Sequence, residues 1–149
     1  MTEIDPQMLS FDTNLAVHAA NRDSPWHQPA RHFIESLASR RDVAVCELML
    51  VELYLKLRNE RIFPVPLSAG QAVRICDAYR SNQAWQLIDS APIMPAVWQR
   101  ASRRGFAFRR ITDVRLAETL RHHGVTGFAT ANLKDFFGLG FDRVWNPLR

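Results

Sequence analysis

Three carboxylates, at Asp12, Glu52 and Asp113, lie beside apolar segments, where an unpaired negative charge would be costly. Asp12 follows the short apolar run at residues 8–11, and Glu52 interrupts a mostly apolar helical stretch. Each carboxylate also has an alternative interpretation as a structural residue. Asp12 and Asp113 could simply cap helices, and Glu52 could pair with Lys56, which lies four residues later.

A cluster of carboxylates is the kind of site that binds a divalent cation, because the negative charges repel one another until a cation offsets them. A site made only of oxygen ligands suits Mg²⁺ or Mn²⁺ better than zinc. Such an ion polarises a phosphoryl oxygen and lowers the pKa of a bound water molecule. Asp12, Asp113 and Glu52 are the candidate residues for such a site, and the loop that contains Asn132 is expected to lie at the same edge of the sheet.

Short apolar runs alternate with helical patterns along the chain, which predicts an α/β domain. Strands are predicted at residues 8–11, 42–46, 85–89, 125–129 and 141–145, and helices at 26–39, 47–59, from 68, from 92 to 105 and at 113–122. The expected architecture is one domain over residues 1–149, with a central, mainly parallel β-sheet flanked by α-helices. Ligands bind at the carboxyl ends of such strands, where Asp12 and the polar loop 130–135 both lie. The helix at 47–59 is apolar nearly all round, so it is expected to be largely buried.

The chain is basic, with a formal net charge of +4 and a pI of about 9.7, and nearly all of its cations are arginines. Arginine presents a planar fork that suits phosphate groups and also stacks on bases. A polyanionic partner such as nucleic acid is one explanation, and a soluble domain that is simply basic is the other. Arg109, Arg110 and Arg115 lie near Asp113 in the sequence and are candidates either for RNA-phosphate contacts or for solvated surface residues.

Several classes of protein and site are not indicated. No stretch approaches the roughly 20 apolar residues that a membrane span needs. Residues 1–5 carry early acids and lack the apolar run of a secretory signal. Cys46 and Cys76 lack metal-ligand spacing and are expected to be buried free thiols, which favours a cytoplasmic location. No glycine-rich phosphate loop or P-loop lysine supports nucleotide binding.

Five segments form an ordered pattern: Phe11-Asp12-Thr13-Asn14, Val51-Glu52-Leu53, Thr112-Asp113-Val114-Arg115-Leu116-Ala117, Thr130-Ala131-Asn132-Leu133-Lys134-Asp135-Phe136 and Trp145-Asn146-Pro147. This pattern resembles the PIN-domain ribonucleases and, more narrowly, the VapC toxins of bacterial toxin–antitoxin pairs. The first and fourth segments are individually loose, but the ordered set is fairly specific and spans nearly the whole chain.

The resemblance implies a parallel sheet flanked by helices, with an acidic pocket at one edge. Asp12, Glu52 and Asp113 match the first, second and third acids of Mg²⁺- or Mn²⁺-dependent endoribonucleases. Asn132 stands where many members have a fourth aspartate, so the site is one formal charge short, and Thr130 could orient a metal ligand. We therefore expect one tightly held Mg²⁺, with any second ion arriving with the RNA phosphate. The resemblance also implies a cognate antitoxin that blocks the pocket, and a homodimer or a toxin–antitoxin hetero-oligomer.

Other functions remain as alternatives. A non-catalytic protein that binds RNA or a partner on the same scaffold is supported by the basic charge and by Asn132. A weaker hypothesis is a metal-dependent phosphohydrolase that acts on small phosphates. Asp135 could add charge to the site through a water molecule. Apolar residues of the first helices are candidates for antitoxin contact or for core packing: Trp26, Phe33, Leu53, Tyr54 and Leu57.

Overall fold

The computed structural model describes residues 7–89 and 91–149. Five strands lie within these residues: β1 (Met8–Phe11), β2 (Ala44–Cys46), β3 (Gln86–Ile88), β4 (Val125–Ala129) and β5 (Arg143–Trp145). The α-helices of the described residues are α1 (Thr13–Ala20), α2 (His27–Leu37), α3 (Glu47–Leu57), α4 (Ala69–Arg80), α5 (Met94–Ala101), α6 (Ile111–His122) and α7 (Leu133–Phe136). A 3-10 turn at Phe108–Arg110 leads directly into α6. The prediction for residues 1–5 lies outside the described residues.

The strands pair in parallel throughout the described residues, which confirms the predicted α/β fold. One sheet has the order β1-β4-β5, and a second sheet pairs β2 with β3. A parallel bridge between Leu9 and Val43 joins the two sheets side by side. Consecutive residues of β1, β2 and β4 are buried, as expected for strands that helices cover on both faces. Phe11 is in register with Ala129, so the carboxyl ends of β1 and β4 lie next to each other.

Helix α3 departs from the prediction of a largely buried helix. Leu53 and Leu57 lie in the core, but Val51 is 57% exposed and Leu55 is 62% exposed. Val51 and the exposed Val73 of α4 line one apolar groove, which we call the α3–α4 groove. The prediction of antitoxin contact is therefore wrong for Leu53 and Leu57, because buried side chains leave no surface for a partner. The other three candidates are half-buried: Trp26, Phe33 and Tyr54.

Two further element boundaries differ from the prediction. Helix α6 begins at Ile111, two residues early, so Asp113 lies in the first helical turn and is not the N-cap. The predicted loop at 130–135 contains the start of α7. This short helix buries Phe136 at its end against Phe128, with the two ring centroids 4.5 Å apart. The capping alternative for Asp113 is therefore wrong.

The predictions about the cysteines and about membranes have separate outcomes. Cys46 is a buried free thiol, as predicted, whereas Cys76 is only partly buried. Cys76 lies on α4 and lines the α3–α4 groove, with its thiol 3.5 Å from the carbonyl oxygen of Leu50. Among the described residues, no helix is both long enough and apolar enough to cross a membrane.

Candidate active site

Asp12 lies between β1 and α1, at the carboxyl edge of the sheet. Its backbone N–H donates to the carbonyl oxygen of Ala129 (2.8 Å), which ties it to the end of β4. The residue is only 6% exposed, and no side-chain hydrogen bond from it caps α1 among the described residues. Instead, its Oδ2 atom accepts a hydrogen bond from the hydroxyl of Thr130 (2.8 Å). Asp12 is nevertheless the N-cap residue of α1, and backbone hydrogen bonds of Thr13 and Asn14 lower the pKa of its carboxyl, so the helix start and Thr130 both hold this side chain.

Thr130 connects the end of β4 to both neighbouring segments of the site. The residue is completely buried, and its backbone N–H donates to the carbonyl oxygen of Trp145 (2.9 Å) at the end of β5. Its hydroxyl donates to Asp12 and accepts a hydrogen bond from the backbone N–H of Asn132 (2.9 Å). The side chain of Asn132 is exposed at the start of α7. The contact with the Asp12 network thus runs through the backbone of Asn132.

Glu52 reaches the site from α3, which packs against α1. Its Oε2 atom accepts a hydrogen bond from the hydroxyl of Thr13, at a long distance of 3.4 Å. Burial raises the pKa of Glu52, the positive charge of Lys56 lowers it, and the negative charge of Asp12 raises it further. The ion pairs of the described residues do not include Glu52 with Lys56, so the predicted helix pair is not formed.

Lys56 belongs to the site although the sequence suggested only a pairing role for it. Its Nζ atom donates to Oδ1 of Asn14 (2.7 Å), which places an ammonium group beside the start of α1. Burial raises the pKa of Asp12, while the Thr130 hydrogen bond and the charge of Lys56 act against that rise. The available signal was composition, since Lys56 and Lys134 are the only lysines in the chain.

Asp113 is a half-buried carboxylate of the site whose pKa is clearly raised. Burial raises its pKa to about 6, and the charges of Asp12, Asp135 and Glu52 contribute in the same direction. The positive charge of Arg110 opposes the rise. The charges of Asp12, Glu52 and Asp135 thus act on Asp113, which places the four carboxylates within electrostatic range of one another.

The arrangement of these acids allows a test of the predicted metal. Within residues 7–89 and 91–149, no group of three or more His, Cys, Asp or Glu side chains is arranged to hold a metal ion. Mg²⁺ does not need such a cage, since it usually binds one or two carboxylates and keeps water and substrate phosphates in its remaining positions. Carboxylate oxygens are the donors that Mg²⁺ or Mn²⁺ prefers, and binding of such an ion by Asp12, Glu52 and Asp113 stays a prediction.

The three arginines predicted to contact RNA have different surroundings. Arg110 donates through Nη2 to the carbonyl oxygen of Asp135 (3.0 Å) and thus lies next to the acids. Arg115 is exposed and lines a small separate pocket with Asp89 and Met94. Arg109 is also exposed. The position of Arg110 connects it directly to the acidic site, and the phosphate contacts of all three arginines stay predictions.

Solved structures of other proteins share this fold. VapC20 of Mycobacterium tuberculosis, described as a toxin that cleaves the sarcin–ricin loop, is 16% identical with a TM-score of 0.56, over 80% of this chain and 86% of VapC20. FitAB bound to an IR36 DNA fragment is 17% identical with a TM-score of 0.63, over 95% and 96% of the two chains. FitAcB from Neisseria gonorrhoeae is 18% identical with a TM-score of 0.61, over 94% and 98%. At these identities the likeness shows the fold alone, and that fold is the one of the PIN-domain toxins.

Sequence similarity identifies the family, within the PIN-domain fold, to which the chain belongs. No family model matches the chain. Ribonuclease VapC24 of M. tuberculosis strain H37Rv is 49% identical over 141 residues, which cover 95% of this chain and 97% of the relative. VapC24 of strain CDC 1551 matches over the same lengths with the same identity. The chain therefore belongs to the VapC ribonuclease family.

Proposed function

We propose that this chain is a Mg²⁺-dependent endoribonuclease that acts as the toxin of a toxin–antitoxin pair. The observation that carries the proposal is the buried carboxylate of Asp12, which Thr130 holds beside two further carboxylates with raised pKa values. Membership of the VapC family supports RNA as the substrate. The toxin VapC20 among the structural neighbours supports the role as a toxin.

Asp12 and Asp113 would be the principal Mg²⁺ ligands, and Glu52 would bind the ion or position the attacking water. When bound, the ion would offset the negative charges and supply electrophilic stabilisation to the phosphoryl oxygens. Because Asn132 replaces a fourth acid, we propose one tightly held Mg²⁺ and a second that arrives only with RNA phosphate. Mn²⁺ has the same ligand preference and would substitute for Mg²⁺.

The side chains of the protein would hold the reacting groups in place. Thr130 orients Asp12 through Oδ2, and Thr13 orients Glu52 through Oε2. Asp113, with its pKa of about 6, would be ionised and available as a ligand at neutral pH. Water would attack the phosphodiester directly, so that no covalent intermediate with the protein forms.

The proposal extends to partners and location. We propose a cytoplasmic protein that forms a homodimer or a hetero-oligomer with a cognate antitoxin. The assemblies FitAB and FitAcB among the structural neighbours support a protein partner. Co-purification with the product of a small neighbouring gene is the expected result. A monodisperse, freely expressed and non-toxic protein would contradict this part of the proposal.

Sequencing of RNA ends after brief expression tests the central claim. The wild-type chain is expected to generate new 5′ and 3′ ends, and an Asp12→Ala variant is expected to generate none. Purified protein should cut RNA with Mg²⁺ present and stop when EDTA is added. If Asp12→Ala and Asp113→Ala cut RNA as fast as the wild type with Mg²⁺ present, the proposed site is wrong.

A second candidate function is a non-catalytic protein that binds RNA or a partner. The observations that favour it are the lack of a preformed three-ligand metal cage among the described residues and the asparagine at position 132. It predicts RNA binding that survives EDTA and leaves the RNA intact with Mg²⁺ present. The assay of cleavage products described above therefore separates the two candidates.

A further inference from the structure

A pocket of about 270 Å³ lies beside the carboxylates and has no role in the proposed metal site. We call it the arginine pocket, because four arginines and two phenylalanines form much of its lining: Arg100, Arg103, Arg104, Arg110, Phe106 and Phe137. Guanidinium groups bind phosphate oxygens, and aromatic rings stack on bases. This combination of side chains suits a strand of nucleic acid better than it suits a small apolar ligand.

The arginines of the pocket differ in their ion pairs and hydrogen bonds within the protein. Arg100 forms an ion pair with Glu118 (3.0 Å), so it serves as part of the pocket wall. Arg103 and Arg104 are exposed, and neither is in the ion pairs formed among the described residues. The Nε atom of Arg110 is buried and has no hydrogen-bond partner within the described part of the chain. Such an orphaned donor is rare in native proteins, so the Nη atoms of Arg110 are the ones through which it can contact a ligand.

Arg110 joins the arginine pocket to the acidic site. Its charge lowers the pKa of Asp113, and its Nη2 atom donates to the backbone of Asp135. Val114, the neighbour of Asp113 on α6, also lines the pocket. Through Arg110 and Val114, the pocket therefore adjoins the part of α6 that carries Asp113.

Phe137 separates the arginine pocket from a second, larger pocket. It is 55% exposed at the end of α7 and lines both. The second pocket, of about 730 Å³, is lined by Asn132, Lys134, Asp135 and Arg149 among others, and we call it the asparagine pocket. An exposed aromatic ring between two pockets that both contain cationic side chains has the arrangement that single-stranded nucleic acid needs, with phosphates on either side of a stacked base.

We propose that single-stranded RNA follows a track from the asparagine pocket over Phe137 into the arginine pocket. Phe137 stacks on an unpaired base, and Arg103, Arg104 and Arg110 bind the phosphates that follow it. This inference rests on the proposed function for the identity of the nucleic acid, and it adds the path that the RNA takes past the carboxylates. An unpaired base on the track predicts tighter binding of loops and single strands than of duplex RNA.

RNA binding without cleavage provides the test. A fluorescently labelled, mixed-sequence, single-stranded RNA oligonucleotide is titrated with protein in EDTA, and anisotropy is read over a series of salt concentrations. Each phosphate contact on a single strand contributes about 0.7 to the slope of log affinity against log salt. The double variant Arg103→Gln/Arg104→Gln is therefore expected to lower that slope by about 1.4 and to weaken binding at least about 5-fold at low salt.

The chain contains a matched control for this double variant. Arg40 and Arg41 are also adjacent arginines, but they precede β2 at the opposite, amino edge of the sheet. Arg40→Gln/Arg41→Gln makes the same change in net charge and removes only an exposed ion pair with Asp42. It is expected to keep the wild-type slope. Equal losses of slope in the two double variants would overturn the track in favour of a general charge effect.

A second pair of variants tests the stacking position. Phe137→Ala is expected to weaken binding about 5-fold or more, with no change in the salt slope, and Phe137→Tyr should restore it. Wild-type affinity in Phe137→Ala would overturn the stacking role. Binding is read in EDTA and cleavage is read separately with Mg²⁺ present, so that a failure of the track and a failure of the cleavage proposal are distinguishable. If the wild type binds along the track but never cuts, only the proposed nuclease activity fails.

Discussion

The carboxyl edge of the sheet buries a charged side chain, whereas the α3–α4 groove exposes apolar side chains. At the edge a carboxylate is buried, since Asp12 is only 6% exposed. In the groove apolar side chains are exposed, with Val51 at 57% and Val73 at 54%. A buried charge is costly, and contiguous exposed apolar surface is unusual in a monomer. Both regions therefore reduce the stability of the isolated chain, which is typical of surfaces that bind something else.

Helix α3 contributes to both regions through adjacent residues. Glu52 faces α1 and the acidic site, whereas Val51 faces α4 and the groove. Between these two directions, Leu53 and Leu57 fill the core. The helix is thus apolar nearly all round for two reasons, one being the core and the other an exposed face. An apolar sequence pattern therefore does not by itself distinguish a core position from a surface position.

The largest expected effect is on catalysis at the carboxyl edge. Asp12→Asn keeps the size of the side chain but removes a charged ligand, so the rate of RNA cleavage with Mg²⁺ should fall roughly a thousand-fold. Single-turnover cleavage of a labelled RNA measures this loss. Val51→Ser in the α3–α4 groove is the control and should cut at the wild-type rate. A similar loss in both variants would break the distinction between the two regions.

A smaller effect is expected from the residue that positions Asp12. Thr130→Val removes the 2.8 Å hydrogen bond to Asp12 but preserves the shape of the side chain. Removing such a supporting group typically costs about 10- to 100-fold in metal affinity or activity. The Mg²⁺ concentration that gives half-maximal cleavage should rise accordingly, and Thr130→Ser should restore it. An unchanged Mg²⁺ requirement in Thr130→Val would show that the hydrogen bond only supports folding.

The third prediction concerns the pH dependence of stability without metal. Burial raises the pKa of Asp113 from 3.8 to about 6, so the folded chain favours the protonated form. The stability that this group contributes is fully present below about pH 4 and is lost as the pH rises through about 6. Asp113→Asn should therefore raise the free energy of unfolding at neutral pH by on the order of 1 kcal/mol, after allowance for its half-exposed position.

Urea unfolding in EDTA at several pH values measures this gain. The wild type and Asp113→Asn should converge near pH 4, where the wild-type carboxyl is already protonated. Adding Mg²⁺ at neutral pH should stabilise the wild type more than the variant, because the ion removes the same repulsion. A gain of equal size at every pH would point to packing and not to the charge of Asp113.

The smallest effect is expected in the α3–α4 region, on the exposed side of α3. Leu55→Ser should change the free energy of unfolding by less than about 0.5 kcal/mol, because its side chain is already in solvent. Leu53→Ala on the buried side of the same helix should cost about 2 to 5 kcal/mol. Thermal unfolding of the two variants measures both losses of stability. A large loss in Leu55→Ser would mean that this face is covered in the protein as purified.

The sequence could predict where the acids meet because the positions of the strands determine it. An apolar run followed at once by Asp12, and another followed by Thr130 and Asn132, place these residues at one edge of a parallel sheet. The alternation of apolar runs and helices predicted a mainly parallel sheet, whereas the order of its strands came only from the structure. Asp12 and Asn132 followed from element ends and Glu52 from its position in an apolar helix, while their individual roles stay predictions.

The contacts within the site could not be predicted in the same way. The Thr130–Asp12 hydrogen bond joins residues 118 positions apart, and the Lys56–Asn14 bond joins residues 42 apart. Such partners depend on how helices and strands pack, which no local pattern records. Glu52 and Lys56 illustrate the limit, because their spacing favours a helical ion pair that the packing of α3 against α1 replaces with two other contacts.

The pairing of β1 with β4 has a consequence for protein synthesis. Asp12 is made 118 residues before Thr130, whose hydroxyl holds its carboxylate. The first acid therefore cannot be held in its final place until the chain has been translated past β4, whatever helices have already formed. The candidate site is thus assembled from segments that are made far apart in time.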